Sequence, residues 1–243
     1  TREVELNAAQ NRFISNVSHE LRTPLFNIKS YVETLYDLKD QLSNEEQLEF
    51  LGIANSETDR LTRLVNDVLD LSRLESGKII QLEPMDIKSA IEQTLRNYRL
   101  NAIEKNVSLA HDIEENIPSI LGNFDLLLQV FDNLLGNGLK FSPKNSTLMI
   151  RAYTWPDSCP AFPLVNSNDE APQCELVSPL PKVRVEIADT GSGISQTDQE
   201  KIFDRFFRVE NAVHTEQGTG LGLSIVRGII EKHGGEIRMA SEL

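Results

Sequence analysis

Residues 18–24 read Ser-His-Glu-Leu-Arg-Thr-Pro and form the most informative stretch of this 243-residue chain. The stretch places His19 beside the carboxylate of Glu20, and the hydroxyl of Thr23 follows four residues after the histidine. In a helix, residues four apart lie one turn apart on the same face. A histidine that acts as a nucleophile needs a neighbouring group to accept its ring proton. The stretch therefore predicts a reactive histidine, His19, on a helix face, with Glu20 as its base.

Apolar residues flank this stretch at helical spacing. Over residues 1–40 they recur on or near one stripe, and Pro24 is expected to bend this first helix near Glu20–Leu21. Ser43, followed by two glutamates, predicts the start of a second helix. Between Leu51 and Val68 the apolar residues alternate at spacings of three and four, as in a coiled coil or helical bundle. The pattern predicts a helical hairpin over residues 1–77.

Additional apolar positions widen the stripe of the second helix beyond a two-helix seam. Leu64 and Leu71 are these positions, and they favour a bundle of four helices over a pair. One hairpin supplies two helices, so the economical arrangement is a homodimer formed through residues 1–77. The alternative is that the hairpin packs onto another domain of the same chain.

The remainder of the chain mixes helical and strand periods, which favours an α/β sandwich of two or three helices over a mixed sheet. A stretch from 154 to 182 contains six prolines and is interpreted as a loop or disordered insertion between two strands that pair. The predicted elements are a linker or first strand over 78–86, helices over 87–104, 125–139 and 224–233, and strands over 107–113, 148–153, 183–188 and 236–239.

The composition excludes some partners. The formal net charge is −13, so the average field would repel nucleic acids and anionic membrane surfaces. No run of about 18 apolar residues is present, and membrane attachment is expected only through upstream segments. The two cysteines, Cys159 and Cys174, lack metal-ligand spacing and are expected to be reduced thiols, with a redox-responsive pair as the alternative.

Three further motifs follow the histidine in order. Residues 133–140, Asn-Leu-Leu-Gly-Asn-Gly-Leu-Lys, place two amides and an amine on one helix face, and amide oxygens are suitable Mg²⁺ ligands. Residues 189–193, Asp-Thr-Gly-Ser-Gly, follow an apolar strand with a carboxylate at its end. Residues 218–223, Gly-Thr-Gly-Leu-Gly-Leu, open a helix whose exposed N–H groups suit a phosphate.

Together, in this order, the four motifs resemble the catalytic core of the sensor histidine kinases of two-component signalling. The resemblance covers nearly the whole chain. It implies a dimerisation and histidine-phosphotransfer hairpin that forms a dimeric four-helix bundle, followed over residues 87–243 by an ATP-binding α/β sandwich of the gyrase, Hsp90 and MutL class. Residues 63–76 and 203–211 look more narrowly like the non-bleaching-type sensor kinases of cyanobacteria and red-algal plastids.

The resemblance also implies cofactors, partners and roles. It implies ATP and Mg²⁺ as cofactors, a response-regulator receiver domain as partner, and a cytoplasmic or stromal core of a membrane-anchored sensor. Thr23 would serve in removing phosphate from that partner, and the aromatic residues of 202–208 would anchor a mobile lid over about 205–220. The residues implied for nucleotide binding are Asn133, Asn137 (also the metal contact), Lys140, Asp189, Gly191, Gly193, Arg208, Gly218, Thr219, Gly220, Leu221 and Gly222.

Three other functions are the alternatives: a gyrase-type ATPase, a phosphatase-dominant sensor with weak autokinase, and a nucleotide-binding interaction scaffold. The ATPase has no use for Ser18–Pro24, and a scaffold does not need His19, Asn137 and Asp189 together. The sequence therefore favours a histidine kinase.

The family also has a closing strand after residues 236–239. The absence of this strand is expected to leave a sheet edge open and to weaken nucleotide binding.

Overall fold

The computed structural model describes residues 2–76, 79–155, 182–209 and 218–243, without the side chains of 2–7, 9 and 10. It forms two compact units. One comprises Thr1–Lys78 with Ile202–Ile225, and the other comprises Ile79–Lys201 with Val226–Leu243. Cys159, Cys174 and His214, most of the proline-rich insertion and the central part of the predicted lid lie outside the described residues.

The first unit contains a hairpin of two long helices. Helix α1 spans Arg2–Asp37 and continues through Pro24, whose ring is fully buried. Helix α2 spans Asn44–Glu75. Ser43 begins α2 as predicted: its hydroxyl accepts the backbone N–H of Glu46, and the Glu46 carboxylate accepts the backbone N–H of Ser43. This reciprocal arrangement satisfies two of the N–H groups that a helix start leaves unpaired.

Helices α3, Ile87–Lys105, and α4, Phe124–Phe141, belong to the second unit and begin at side-chain caps. Asn123 caps α4, and its backbone N–H donates to Nε2 of His233 at 2.9 Å. Nδ1 of His233 lies 2.7 Å from the carbonyl oxygen of Ile229, so the ring connects two helix ends and is structural. The described residues also form helices α5, Gln196–Gln199, and α6, Gly222–Lys232.

The second unit also contains two small sheets in its described residues. Strands β1, Glu83–Met85, and β3, Ile120–Gly122, pair antiparallel. The three-stranded sheet has the order β2, β4, β5, and its strands span Ser108–Ile113, Thr147–Trp155 and Lys182–Ala188. β2 pairs parallel with β4, and β4 pairs antiparallel with β5, so the sheet is mixed as predicted. Apolar residues of β4 and α4, among them Leu148, Ile150, Val130 and Leu135, form the core.

The strand predicted over Glu236–Met239 is wrong, because these residues form no strand in the described part of the chain. Side-chain contacts take the place of strand pairing in this segment and the residues after it. The guanidinium of Arg238 pairs with the carboxylate of Glu236 at 2.9 Å on one side of the segment. The segment beyond is held by side chains: Ser241 accepts the backbone N–H of Ile194, and Gln199 donates to the Ser241 carbonyl.

The described residues include no helix with an apolar run long enough to cross a bilayer.

Candidate functional site

The predicted reactive histidine lies on the surface of α1. His19 is exposed, and Glu20 beside it is half-buried. The hydroxyl of Thr23 is directed back along the helix, 3.5 Å from the carbonyl oxygen of His19. Ser18 likewise donates to the carbonyl oxygen of Ile14 at 2.8 Å. The imidazole is therefore accessible to a reactant, while the short hydroxyl side chains around it bond to their own helix.

Glu20 is held by an arginine from the other helix of the hairpin. Nη2 of Arg60 lies 3.4 Å from Oε2 of Glu20, and Nη1 of Arg60 lies 3.7 Å from Oε2 of Glu57. Sequence patterns did not indicate this three-residue ion cluster, since Glu20 and Arg60 are forty residues apart. The i,i+3 spacing of Glu57 and Arg60 was the one signal available.

Helix α4 carries the predicted amides and amine as half-buried residues, while Leu135 and Leu139 of the same helix are buried. The amide nitrogen of Asn133 donates to the carbonyl oxygen of Gln129 at 3.0 Å, which leaves its Oδ1 able to accept a bond or ligate a cation. Nζ of Lys140 lies 4.7 Å from the ring centroid of Phe141. Asn133, Asn137 and Lys140 are thus presented by a helix whose other face is fixed in the core.

A cavity of about 450 Å³ opens between the ends of α3 and α4, and Lys140 lies on its wall. Nζ of Lys105 bonds to the carbonyl oxygens of Leu139 and Lys140, which belong to the last turn of α4. These carbonyls have no acceptor role within the helix, and a cation near a helix C-terminus is favourable. The cavity is lined by Tyr98, Asn101, Glu104, Lys105, Gly136, Leu139 and Lys140.

The turn after β5 is shaped by its own side chain. Oδ1 of Asp189 accepts the backbone N–H of Gly191 at 2.8 Å, so the carboxylate closes the turn at the strand end. A Cβ atom on Gly191 would lie 3.1 Å from the carbonyl oxygen of Phe141, which places the turn against the end of α4. Gly193 has a φ of +74°, and a Cβ there would meet the carbonyl of Glu242. The structure therefore brings Gly191, in the turn that Asp189 closes, to the end of the helix that bears Asn137, while Gly193 lies against Glu242.

The glycine loop that opens α6 belongs to the other unit, with Arg208, which is exposed. Gly220 has a φ of +71°, and a Cβ there would lie 2.8 Å from Cα of Phe206. The backbones of Phe206 and Gly220 are in direct contact, because the N–H of Phe206 donates to the carbonyl oxygen of Gly220 at 2.8 Å. Gly218, Thr219 and Gly222 are half-buried, and Leu221 is fully buried.

Thr219 of this loop donates its hydroxyl hydrogen to Oδ2 of Asp67 in α2, at 2.6 Å. Burial raises the pKa of the Asp67 carboxyl above its ordinary value, although the hydrogen bond from Thr219 acts to lower it. Two more contacts join residues 205 and 206 to the hairpin: Arg205 pairs with Glu75 of α2, and the ring of Phe206 lies 5.7 Å from that of Phe13 of α1. Asp67 and Glu75 were not predicted.

The predicted nucleotide-binding residues thus fall into two sets, one in each unit. Among the described residues, no group of three or more His, Cys, Asp and Glu side chains could hold a metal ion. The α4 amides fit Mg²⁺ in another way, because this ion keeps waters and phosphate oxygens and takes only one or two protein oxygens. The donor set therefore suits a metal that arrives with a nucleotide.

Comparison with known families assigns both parts of the chain. Residues 9–77 match the His Kinase A (phospho-acceptor) domain, and residues 122–243 match the histidine kinase-, DNA gyrase B- and HSP90-like ATPase. The chain belongs to the histidine kinase family. The expectation of a helical hairpin followed by an α/β ATPase domain is confirmed by the same two matches.

Several curated histidine kinases are similar over the full length of the chain. The sensor-like histidine kinase ycf26 of Pyropia yezoensis is 58% identical over 243 residues, which are 100% of this chain and 36% of the relative. Drug sensory protein A of Synechocystis sp. is 55% identical over 100% of this chain and 34% of that protein. The chain spans about a third of the length of these relatives. The expected likeness to red-algal plastid and cyanobacterial kinases is confirmed.

Solved structures of histidine kinases share the fold. ThkA, solved in complex with response regulator protein TrrA, has a TM-score of 0.66 at 21% identity over 95% of this chain and 57% of that chain. Full-length ShkA in complex with AMPPNP has a TM-score of 0.59 at 26% identity over 95% of this chain and 44% of that chain.

Proposed function

We propose that this chain is the catalytic core of an ATP-dependent protein histidine kinase that phosphorylates His19 and then passes the phosphoryl group to an aspartate of a response regulator. The observation that carries the proposal is the exposed imidazole of His19 on α1, next to Glu20, within a matched phospho-acceptor domain. The phospho-acceptor hairpin would occupy residues 1–77 and the ATP-binding domain residues 87–243, with 78–86 between them.

The phosphorylation step needs a nucleophile and a base. One imidazole nitrogen of His19 forms a bond to the γ-phosphorus of ATP, the bond from this phosphorus to the β,γ-bridging oxygen breaks, and ADP leaves with that electron pair. The ring becomes cationic as the bond forms. Glu20 accepts the proton from the other ring nitrogen and so returns the ring to a neutral state.

The remaining predicted residues bind and orient the nucleotide. Asp189 would accept the adenine amino group at the strand end, with Gly191 and Gly193 shaping the turn around it. The loop Gly218–Gly222 would offer backbone N–H groups to the phosphates at the start of α6. Lys140 and Arg208 would contact phosphate oxygens.

The amides of α4 would hold the metal. Asn137, with Asn133 beside it, would hold Mg²⁺ through an amide oxygen. The ion, when bound with ATP, would supply positive charge at the phosphates. AMPPNP in the related ShkA structure supports a nucleotide at this domain class.

The hairpin is proposed to form a homodimer through residues 1–77. Large apolar side chains on both helices are exposed in the single chain, and a second hairpin would cover them. The exposed apolar residues of the hairpin that a second hairpin would cover are Ile14, Leu25, Phe26, Val32, Leu48, Leu51, Val65 and Leu69.

ThkA in complex with TrrA supports a receiver domain as the second partner, and Thr23 would orient water in the dephosphorylation of that partner. A cytoplasmic or stromal location stays a prediction.

Incubation with γ-labelled Mg·ATP tests the proposed function. We expect an acid-labile, alkali-stable label that is lost in His19→Gln and kept in His111→Gln, a matched control because His111 is an exposed histidine on β2. Nucleotide affinity should be equal in all three proteins. A label that survives in His19→Gln, or nucleotide binding without any label in the wild type, would contradict the proposal.

A further inference from the structure

The ion cluster Glu20–Arg60–Glu57 differs from the other ion pairs of the hairpin. Its side chains are 28%, 18% and 13% exposed, and Arg60 connects α2 to α1. By contrast, Lys29–Glu33 and Arg73–Asp70 lie within single helices, with Lys29 and Arg73 more than 70% exposed. Exposed pairs contribute little to stability, whereas charges withdrawn from water need a close partner.

Both acids depend on the same guanidinium. Oε2 of Glu57 is buried and has no hydrogen bond of ordinary geometry, so the nearby charge of Arg60 is its compensation. Arg60 in turn reaches across to Oε2 of Glu20. Removing Arg60 would leave both partly buried carboxylates without the cation that they share. The cluster therefore fixes the side-chain orientation of Glu20 toward α2.

We propose that Arg60 is a positioning residue that acts through Glu20, and that Glu57 holds Arg60 in place. This inference rests on the proposed function, because the base that receives the ring proton of His19 must be held at a fixed position. Arg60 itself contacts neither the histidine nor the nucleotide in this role. A displacement of the base by about 1 Å is enough to slow a proton transfer by about two orders of magnitude.

The test measures the autophosphorylation rate constant and KM for Mg·ATP in the full chain. Arg60→Gln should lower the rate constant about 10- to 100-fold with KM unchanged, and Arg60→Lys should recover part of it. Arg73→Gln is the matched control, since Arg73 also lies on α2 with an acid three residues before it. It should change neither parameter.

A double-mutant cycle separates positioning from a structural role. In a Glu20→Gln background, Arg60→Gln should cause little further loss, because Arg60 acts through the side chain already replaced. If circular dichroism shows that Arg60→Gln fails to fold, Glu57→Gln replaces it, with a smaller loss of rate expected because the Arg60–Glu20 pair remains.

Wild-type rates in the folded variants, or losses that multiply independently in the double variant, would overturn the positioning role alone. A wild-type chain that binds Mg·ATP without labelling His19 would overturn the proposed function, and the role of Arg60 with it.

Discussion

The hairpin and the α/β unit bury their side chains in different ways. On α2 the buried residues are Ala54, Leu64 and Leu71, while large apolar side chains such as Phe26 of α1 and Leu51 of α2 are exposed. The α/β unit instead encloses fully buried residues from its helices and its sheet. The hairpin places charged groups between its helices, whereas the packed face of α4 is apolar. The α/β unit therefore has a core of its own, and the hairpin core is incomplete in one copy of the chain.

The largest expected effect comes from removing one buried leucine in each region. Leu135→Ala in α4 and Leu64→Ala in α2 should each lower the free energy of unfolding by about 3 kcal/mol, since both side chains are at most 2% exposed. The loss from Leu64→Ala should depend on protein concentration, because in the proposed homodimer a second copy would complete the hairpin core. Urea unfolding followed by circular dichroism at two protein concentrations checks this. If the free energy of unfolding depended equally on protein concentration in both variants, the proposed difference between the hairpin and the α/β unit would be contradicted.

Glycine-to-alanine changes in α4 and in α2 should change the free energy of unfolding in opposite directions. A Cβ on Gly138 of α4 would lie 2.6 Å from Cδ1 of the buried Leu148, so Gly138→Ala should destabilise by about 1 kcal/mol. A Cβ on Gly52 of α2 would have no atom within 4 Å, so Gly52→Ala should stabilise by about 0.5–1 kcal/mol. Thermal unfolding measures both.

Second variants sharpen this prediction. Adding Leu148→Val should remove most of the loss caused by Gly138→Ala, because it shortens the side chain that the new methyl group meets. Destabilisation by Gly52→Ala would mean that the second hairpin covers this glycine, and it would place Gly52 inside the dimer interface.

The smallest effect concerns one carboxyl group in each region. Burial raises the pKa of both Asp67 and Asp132. Such a group binds its proton more tightly in the folded state than in the unfolded state, which stabilises the fold. This stabilisation is complete below the unfolded pKa of about 3.9 and is lost as the pH rises through the folded pKa. At pH 7 each ionised carboxylate therefore lowers stability.

Replacement by asparagine should accordingly raise the melting temperature at pH 7, with the gain vanishing near pH 3.5. The amide oxygen at position 67 can still accept the hydroxyl hydrogen of Thr219. Melting curves of Asp67→Asn and Asp132→Asn from pH 3.5 to 8 provide the measurement. A gain that stays constant over this range would exclude ionisation as its cause.

Local sequence signals were sufficient where the structure is local. Ser43 and Glu46 begin α2 through bonds three residues apart, and helical periodicity located α3 and α4 to within two residues. Strand β3 was missed, because it has three residues and exists through its pairing with β1. Glu236–Met239 alternates without forming a strand, because alternation predicts a strand only where a neighbouring strand can pair with it.

The same limit applies to the candidate site. Motifs indicated His19, Asn137, Asp189 and the glycine loop, since each belongs to a short run of residues with a recognisable chemistry. The bonds from Arg60 to Glu20 and from Thr219 to Asp67 were not indicated. They depend on how distant helices and loops are aligned, and no local pattern specifies that alignment.

The sole tryptophan of the chain, Trp155, ends strand β4 beneath the guanidinium of Arg184, whose Cζ lies 4.2 Å from the centroid of its ring. Its emission spectrum therefore reports on the α/β unit, while the hairpin is silent at the same wavelengths. The neighbouring Tyr153 donates its hydroxyl hydrogen to Glu186, and burial raises the pKa of this phenol. The ionised form of Tyr153, which would quench the fluorescence of Trp155, therefore forms only in strongly alkaline buffers. The indole of Trp155 serves as an intrinsic optical probe for one half of the molecule.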